Sequence, residues 1–385
     1  MMSIKKRFEK NGISITFVFL LFLSGAYGIY AKDVKQSDTE NRPLQQLPSW
    51  SLSAIQKGTL QSEMTSYLGD QFPFRDTWVK LHANLEHQLG KMKLNGIYIG
   101  KNDELFQKSA TVDNEVIKQK QAAINLFAKK YPKQHISMLL VPNKATILKE
   151  KLPAYVEDQD QMKDIRALAS GLEDTIRFTD AFEALRNKKE ESLYYRSDHH
   201  WTGLGAYTAF LEWKKKELSE EPLLEYEHEA NNTSFLGTLA NTSGYVQGDM
   251  DTIDIYTSPN DPDYIVRYPT EKKTTTTLFD NTKADGNQPY EVFLSGNHPL
   301  VEIATTAKNQ KHLLLIKDSY ANCFVSYLLS YYSTITIVDP RYYFDDLSQL
   351  IQEQGITDTL FLYNANTFFT DTSLQDMLNE ALQDS

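Results

Sequence analysis

The feature that most constrains this chain is a unit that occurs three times near its C-terminal end. Leu313–Ile316, Ile335–Val338 and Leu360–Tyr363 are continuous apolar runs. Each ends in a polar turn, respectively Lys317-Asp318-Ser319, Asp339-Pro340-Arg341 and Asn364-Ala365-Asn366, with helical sequence expected beyond it. A strand that is apolar on both sides has no solvent face, so it belongs in a parallel sheet covered by helices above and below. Ile136–Val141, which closes in Pro142-Asn143-Lys144, is a fourth run of this kind. The expected fold is therefore α/β, a three-layer sandwich around a central, mostly parallel sheet. Open parallel sheets carry their sites at the carboxyl ends of the strands. Asn143, Ser319, Arg341 and Asn364 all fall there.

Around these strands the chain reads as follows. Lys5, Lys6, Arg7 and Lys10 precede Ile13–Tyr30, an uncharged and mainly apolar run. As a helix it spans about 27 Å, close to the hydrocarbon thickness of a bilayer. Residues 1–31 are thus expected to be a membrane helix, with the basic end inside and the body outside. Cleavage after Ala31 and secretion is the alternative, although Ile29 and Tyr30 fit a signal-peptidase site poorly. Residues 32–48 read as a polar tether and 49–385 as the folded domain. Helices are expected over Leu52–Leu89 (interrupted at Gln71–Asp76), Val116–Tyr131, Gln161–Leu172 and Gly203–Leu218, and strands over Gly96–Gly100 and Thr175–Phe178. Residues 220–289, rich in Thr, Asn, Asp, Gly and Pro, read as an irregular β-rich insert.

The formal charge of −11 argues against a nucleic-acid partner, which needs a basic face. Cys323 is the single cysteine, so an internal disulfide and a multi-cysteine metal site are both excluded. Asn231-Asn232-Thr233 and Asn241-Thr242-Ser243 fit glycosylation acceptors in a host that modifies them.

The chemistry centres on Arg196-Ser197-Asp198-His199-His200-Trp201-Thr202-Gly203-Leu204, taken with Ser319. A serine becomes a useful nucleophile when a base takes its proton, and the base works best when a carboxylate orients it. Asp198, His200 and Ser319 can fill these roles if the loop bends. His199 is the rival base. A plain N-cap serine, a structural Asp-His pair, or a metal site on Asp198, His199 and His200 are the competing readings. The N–H groups of Tyr320 and Ala321, at the start of an expected helix through Tyr331, are candidate oxyanion donors. Trp201 is expected to pack against His200 and fix its ring. Ser295-Gly296-Asn297-His298 spells a hydrolase superfamily name, but that name refers to dispersed residues, and its contiguity here is accidental.

At these residues the chain resembles the DHHW family of exported bacterial proteins, named for the motif present here as Asp198-His199-His200-Trp201. That family is related to the alginate O-acetylation proteins, whose domain is SGNH-hydrolase-like. The resemblance extends through Phe72-Pro73-Phe74-Arg75-Asp76, Ile99-Gly100-Lys101, Val141-Pro142-Asn143-Lys144, Leu152-Pro153, Lys317-Asp318-Ser319-Tyr320 and Asp339-Pro340-Arg341-Tyr342. It departs from the alginate proteins at His199, where they commonly carry a small polar residue, and at Lys317, where a glycine usually stands near the nucleophile.

The resemblance implies an SGNH-hydrolase-like fold and a Ser-His-Asp site, with Ser319 as nucleophile, His200 as base and Asp198 as its partner. It implies Arg341 as a ligand contact, with His199, Tyr320 and Asn364 as further substrate or oxyanion candidates and Gly237 as a candidate oxyanion glycine. No cofactor or metal is expected. The implied activity is acetyl transfer to an exopolysaccharide or cell-wall polymer. Acetyl-coenzyme A is cytoplasmic, so a membrane-bound O-acyltransferase is the expected donor partner. A polysaccharide acetylesterase using the same residues and a catalytically silent glycan-binding surface protein are the alternatives.

Overall fold

The computed structural model describes residues 4–37, 42–284, 286 and 288–383. The side chains of Lys5, Lys6, Arg7, Lys10, Asn231, Asn232 and Thr233 lie outside that description, as do those of residues 382 and 383 and the tether residues 38–41. The chain divides into two compact units, residues 1–94 with 241–246, and residues 95–240 with 247–385.

The first unit holds helices α1 (Ile4–Tyr30), α2 (Leu52–Gln56), α3 (Thr59–Asp70) and α4 (Arg75–Gln88). The break expected within Leu52–Leu89 lies between α3 and α4, where Phe74 adopts a left-handed conformation (φ 56°) before Arg75. On α4, Ala83 is buried and His87 meets the Tyr245 ring edge-on at 4.9 Å. On α1, the apolar side chains from Phe17 to Leu23 are all exposed. Among the described residues no helix is long and apolar enough to cross a membrane.

The second unit is built on strands β1 (His135–Val141), β2 (Ile176–Thr179), β3 (Glu227–Phe235), β4 (Asp251–Thr257), β5 (Tyr264–Tyr268), β6 (Lys273–Thr275), β7 (Leu300–Thr305), β8 (His312–Lys317), β9 (Thr334–Val338) and β10 (Asp358–Asn364). Its helices include α5 (Asn114–Lys130), α6 (Lys144–Ile147), α7 (Gln161–Ser170), α8 (Gly203–Glu217), α9 (Leu347–Glu353), α10 (Ala365–Thr370) and α11 (Ser373–Gln383). Eight strands form one sheet in the order β6-β5-β7-β9-β8-β10-β1-β2. The five strands from β9 to β2 run parallel, with Leu315 in register with Ile337 on one side and Leu360 on the other. β7, β5 and β6 continue the sheet antiparallel.

The sheet is therefore mixed. The expected insert contributes β5 and β6 to its edge, and β3 and β4 form a separate antiparallel pair. β7 escaped the sequence reading: in Leu300-Val301-Glu302-Ile303, Val301 and Ile303 are buried and alternate with half-buried Leu300 and Glu302, as an antiparallel strand with one drier face does.

The parallel strands are dry on both faces. Leu313 and Leu315 face a core that includes Phe210, Trp213 and Trp201, while Leu314 and Ile316 face a second core that includes Ile124, Phe127 and Phe361. Removing each such side chain from water is worth about 1.5–3 kcal/mol. The double burial is why these runs are strands between two helical layers. α8 starts where Thr202 accepts from the Gly205 N–H at 3.2 Å and ends in Lys214–Lys216, matching the helix dipole at both ends.

The helix expected from Tyr320 to Tyr331 is instead two 3-10 segments, Ser319–Cys323 and Val325–Leu328. Ser, Tyr, Asn, Cys, Phe and Val are weak helix formers. Here the residues from Tyr320 to Leu329 are all buried, so tertiary packing decides their backbone.

Candidate active site

Ser319 follows β8 directly, and its turn is set by Asp318. One Asp318 oxygen accepts from the Tyr320 N–H at 3.0 Å and the other from the Asn364 N–H at 3.1 Å, tying the ends of β8 and β10 together. Burial raises the Asp318 pKa to about 6, against the pull of Arg341 and of these N–H bonds. The Ala321 N–H goes to the Asp318 carbonyl at 3.2 Å. Both N–H groups expected to serve an oxyanion are thus spent inside the turn that Asp318 caps.

The Asp-His loop leaves and rejoins a short ladder. Tyr194 bridges Trp201, the Tyr195 N–H donates to the His200 carbonyl at 3.2 Å, and the Thr202 N–H donates to the Leu193 carbonyl at 2.9 Å. The loop tip is held by Asp251, whose carboxylate accepts from the N–H groups of Arg196 (2.6 Å) and Ser197 (2.7 Å) and from the Ser197 hydroxyl. The Ser197 oxygen in turn accepts from the Gly237 N–H at 2.8 Å.

This loop brings Asp198, His200 and Ser319 into line. His200 Nδ1 lies 2.6 Å from Asp198 Oδ1, and His200 Nε2 lies 2.8 Å from Ser319 Oγ. The second Asp198 oxygen accepts from the N–H and hydroxyl of Thr238, at 2.7 and 2.9 Å. Burial works against a charge on Asp198, but His199, His200 and the Thr238 N–H outweigh it and hold its carboxyl well below the usual carboxylate range. An ionised Asp198 keeps the imidazole proton on Nδ1. Nε2 is then left to accept from the serine hydroxyl, the arrangement general-base catalysis needs.

Three bonds join loop and turn across more than a hundred residues of sequence. Besides the His200–Ser319 contact, the Trp201 indole donates to the Tyr320 carbonyl at 2.9 Å, and the Tyr320 hydroxyl donates to the His199 carbonyl at 2.6 Å. Trp201 does not fix the His200 ring. Tyr290 does, stacked at 3.7 Å with planes 9° apart. Trp201 lies instead parallel to Phe324, because its N–H is drawn to the serine turn.

The remaining sequence candidates divide. His199 is half-buried, and its Nδ1 meets the Thr238 hydroxyl at 2.6 Å rather than Ser319. Burial and the neighbouring His200 lower its pKa to about 4, so it is neutral. Arg341 grips Asp339 with two nitrogens, at 2.8 and 2.6 Å, while Lys317 reaches the same carboxylate at 3.2 Å. Asn364 accepts from the Asn366 N–H at 2.9 Å. Gly237 is not an oxyanion donor, since its N–H is spent on Ser197. The residues that sequence reasoning missed are Thr238, Asp251 and Tyr290. All three come from the segment of residues 220–290, where no periodicity marks them.

Asp198, His199 and His200 also offer ligand atoms within 4.8 Å of one another. Both His200 nitrogens and both Asp198 oxygens already face hydrogen-bond partners, which favours a proton relay over metal ligation.

Gly237 has a steric role. A Cβ there would fall 2.4 Å from the Asp198 Cβ and 2.5 Å from its Oδ2. Gly237→Ala is therefore expected to lower stability by about 1–3 kcal/mol, as overpacking does, and to lower ester turnover by shifting Asp198. Thermal unfolding and steady-state turnover check this together; an alanine variant matching the parent in both would refute the packing argument.

A family model described as "SGNH hydrolase-like domain, acetyltransferase AlgX" matches residues 97–297, just over half of the chain. The chain belongs to this family. The match to the AlgX-type SGNH domain spans Asp198 and His200 and ends before Ser319. Among solved structures, a DHHW family protein from Eubacterium siraeum is similar at 24% identity, with a TM-score of 0.63 over 76% of this chain and 96% of that one. Bacillus cereus PatB1 is similar at 20% identity, with a TM-score of 0.63 over 72% and 98% of the two chains. The same protein with a sulfonyl adduct gives 19% and 0.62 over 72% and 97%. These likenesses agree on the fold. No curated protein sequence matches the chain.

Proposed function

We propose that this chain is an extracytoplasmic O-acetyltransferase with Ser319 as nucleophile, His200 as general base and acid, and Asp198 as the group that orients and stabilises the imidazolium. The observation that carries the reading is the continuous relay from Asp198 through both nitrogens of His200 to the Ser319 hydroxyl. In the first half-reaction Ser319 Oγ attacks an acetyl carbonyl and its proton passes to His200 Nε2. The donor's C–O bond then breaks and the leaving oxygen takes that proton. In the second half-reaction a sugar hydroxyl gives its proton to His200 and attacks the acetyl-serine. The new ester forms, and the proton returns to Ser319.

Membership in an acetyltransferase family favours a sugar over water as acceptor, on an exopolysaccharide or cell-wall polymer. His199, Asn364, Tyr320 and Arg341 are the substrate-facing candidates. The first three line a cleft beside the serine turn, and Arg341 is close enough to influence Asp318. The donor partner would be a membrane-bound O-acyltransferase, because the acetyl group has to cross from the cytoplasm. Membrane attachment through residues 1–31 is the matching topology, supported by the basic residues before Ile13 and the apolar side chains exposed on α1.

Two measurements test this. A sulfonyl fluoride should add one sulfonyl group to Ser319, read by peptide mass spectrometry, and His200→Ala should slow that labelling at least ~10²-fold. Labelling that persists unchanged in Ser319→Ala would place the nucleophile elsewhere. In cells, the full chain should stay with membranes after alkaline washing, and a mature N-terminus at Lys32 would replace the anchor with a cleaved leader.

A further inference from the structure

A small polar cleft opens where the carboxyl ends of β1, β8 and β10 meet. Its lining includes Asn143, Lys144, His199, Leu239, Tyr320 and Asn364. We propose that this cleft is a subsite for an uncharged hydroxyl of the acceptor sugar, read by the side-chain amide of Asn143. The proposal rests on the acyl-transfer reading above and adds the chemical class of the acceptor.

Asn143 is the reason to expect a ligand. It occupies the N-cap of α6, where an asparagine side chain normally accepts from the first turn, yet its side chain makes no cap bond. The main chain of Asn143 is fully used. Its N–H donates to Gln161 at 2.7 Å, and its carbonyl accepts from Thr146 and Ile147 at 3.0 and 3.1 Å. The side chain, only 6% exposed, buries an Oδ1 that has no partner among the described residues. A buried carbonyl oxygen without a donor destabilises a fold, and such groups usually serve something. Across the cleft Asn364, equally buried, spends its Oδ1 on Asn366, and its NH₂ group has no partner among the described residues. One wall thus offers an acceptor and the other a donor. An alcohol is both, and it satisfies the two amides at once.

Charge and size narrow the class. Lys144 is the cleft's cation, but its ammonium is bound by the carbonyls of Tyr195 and Arg196, at 2.9 and 3.0 Å, and by Glu104 at 3.2 Å. His199 is neutral. A carboxylate or phosphate would therefore meet no available positive charge on the cleft wall. The cavity of about 20 Å³ takes a single water-sized group. A hydroxyl fits that space, and the absence of an available cation on the wall disfavours a uronate carboxylate. Anchoring one hydroxyl here would fix which neighbouring hydroxyl the sugar presents to acetyl-Ser319. Attack by that neighbour breaks the acetyl–Oγ bond, forms the sugar ester, and returns the proton to Ser319 through His200.

The experiment uses the full chain with 4-nitrophenyl acetate as donor and methyl glucoside or glucuronate as acceptor. Asn143→Leu is expected to raise the KM for methyl glucoside about tenfold, the worth of one hydrogen bond, while hydrolysis in water alone stays within ~3-fold of the parent. Methyl glucoside should be acetylated in preference to glucuronate. A variant that partitions acetyl between sugar and water like the parent overturns the subsite. So does equal loss of hydrolysis and transfer, or a preference for glucuronate. If Asn143→Leu unfolds at a lower temperature, Asn143→Ala is read in its place. A second arm does not depend on catalysis: saturation-transfer NMR of methyl glucoside on Ser319→Ala protein. A signal that the added Asn143→Leu change weakens supports the subsite, and no signal, or an unchanged one, overturns it. A parent that binds the sugar yet never cleaves the ester refutes the acyl-transfer reading and leaves the binding result standing.

Discussion

Ser319→Ala and His200→Ala are each expected to lower acetyl-ester turnover by at least ~10³-fold, and the double variant to lose no more than either alone. The reason is the 2.8 Å contact between His200 Nε2 and Ser319 Oγ. A serine without its base stays a neutral alcohol, and a base without its serine has no proton to take, so either change removes the same step. His199→Ala should hydrolyse the ester within a few-fold of the parent, because its Nδ1 is engaged with Thr238 and not with Ser319. The effect of His199→Ala should appear in the acceptor half-reaction, since its ring borders the cleft. The measurement is steady-state release of 4-nitrophenol by the four variants, each checked for folding by circular dichroism. Losses that multiply in the double variant would mean that the two residues act independently. An inactive His199→Ala beside an active His200→Ala would reverse the assignment of the base.

The parallel half of the sheet was legible because the physics is local to each strand: Leu313–Ile316 and Leu360–Tyr363 are apolar on both faces, and few other environments accept such a run. The Asp198–His200 spacing was legible as chemistry, although two residues apart in sequence does not fix a loop. The bend depends on Asp251 holding the N–H groups of Arg196 and Ser197, and on Gly237 leaving room for Asp198. Those residues come from irregular sequence, where contacts are made by single side chains and no period betrays them. The same holds for Tyr290, whose ring covers His200 from some 90 residues away in the chain. The N–H groups of Tyr320 and Ala321 looked available because a strand-to-helix turn normally leaves them so. Asp318, two residues before Tyr320, takes them both, one on its carboxylate and one on its carbonyl. A sequence can show that a residue is able to cap, but not whether its carboxylate turns inward to do it.

Asp198→Asn is expected to lower turnover by ~10²–10⁴-fold with little change in fold, and the cause lies in hydrogen-bond polarity. Asp198 accepts four bonds: the His200 N–H and Nδ1–H on Oδ1, and the Thr238 N–H and hydroxyl on Oδ2. Asparagine is nearly the same shape but replaces one acceptor oxygen with an NH₂ donor. If the NH₂ faces Thr238, it meets a main-chain N–H that cannot reverse, and two donors are left opposed. If it faces His200, it opposes the His200 main-chain N–H, and Nδ1 has to become the acceptor while the imidazole proton moves to Nε2. His200 then points a proton at Ser319 and can no longer take one. Either way one main-chain N–H is left facing a donor, that of Thr238 or that of His200, and in the second case the relay is broken as well. Thr238→Val, which removes only the hydroxyl, keeps the main-chain donor and should cost no more than about tenfold. Comparing kcat for the two variants separates tautomer control from simple support of the carboxylate. Equal losses would show that Asp198 acts through its position alone, and an active Asp198→Asn would remove it from the mechanism.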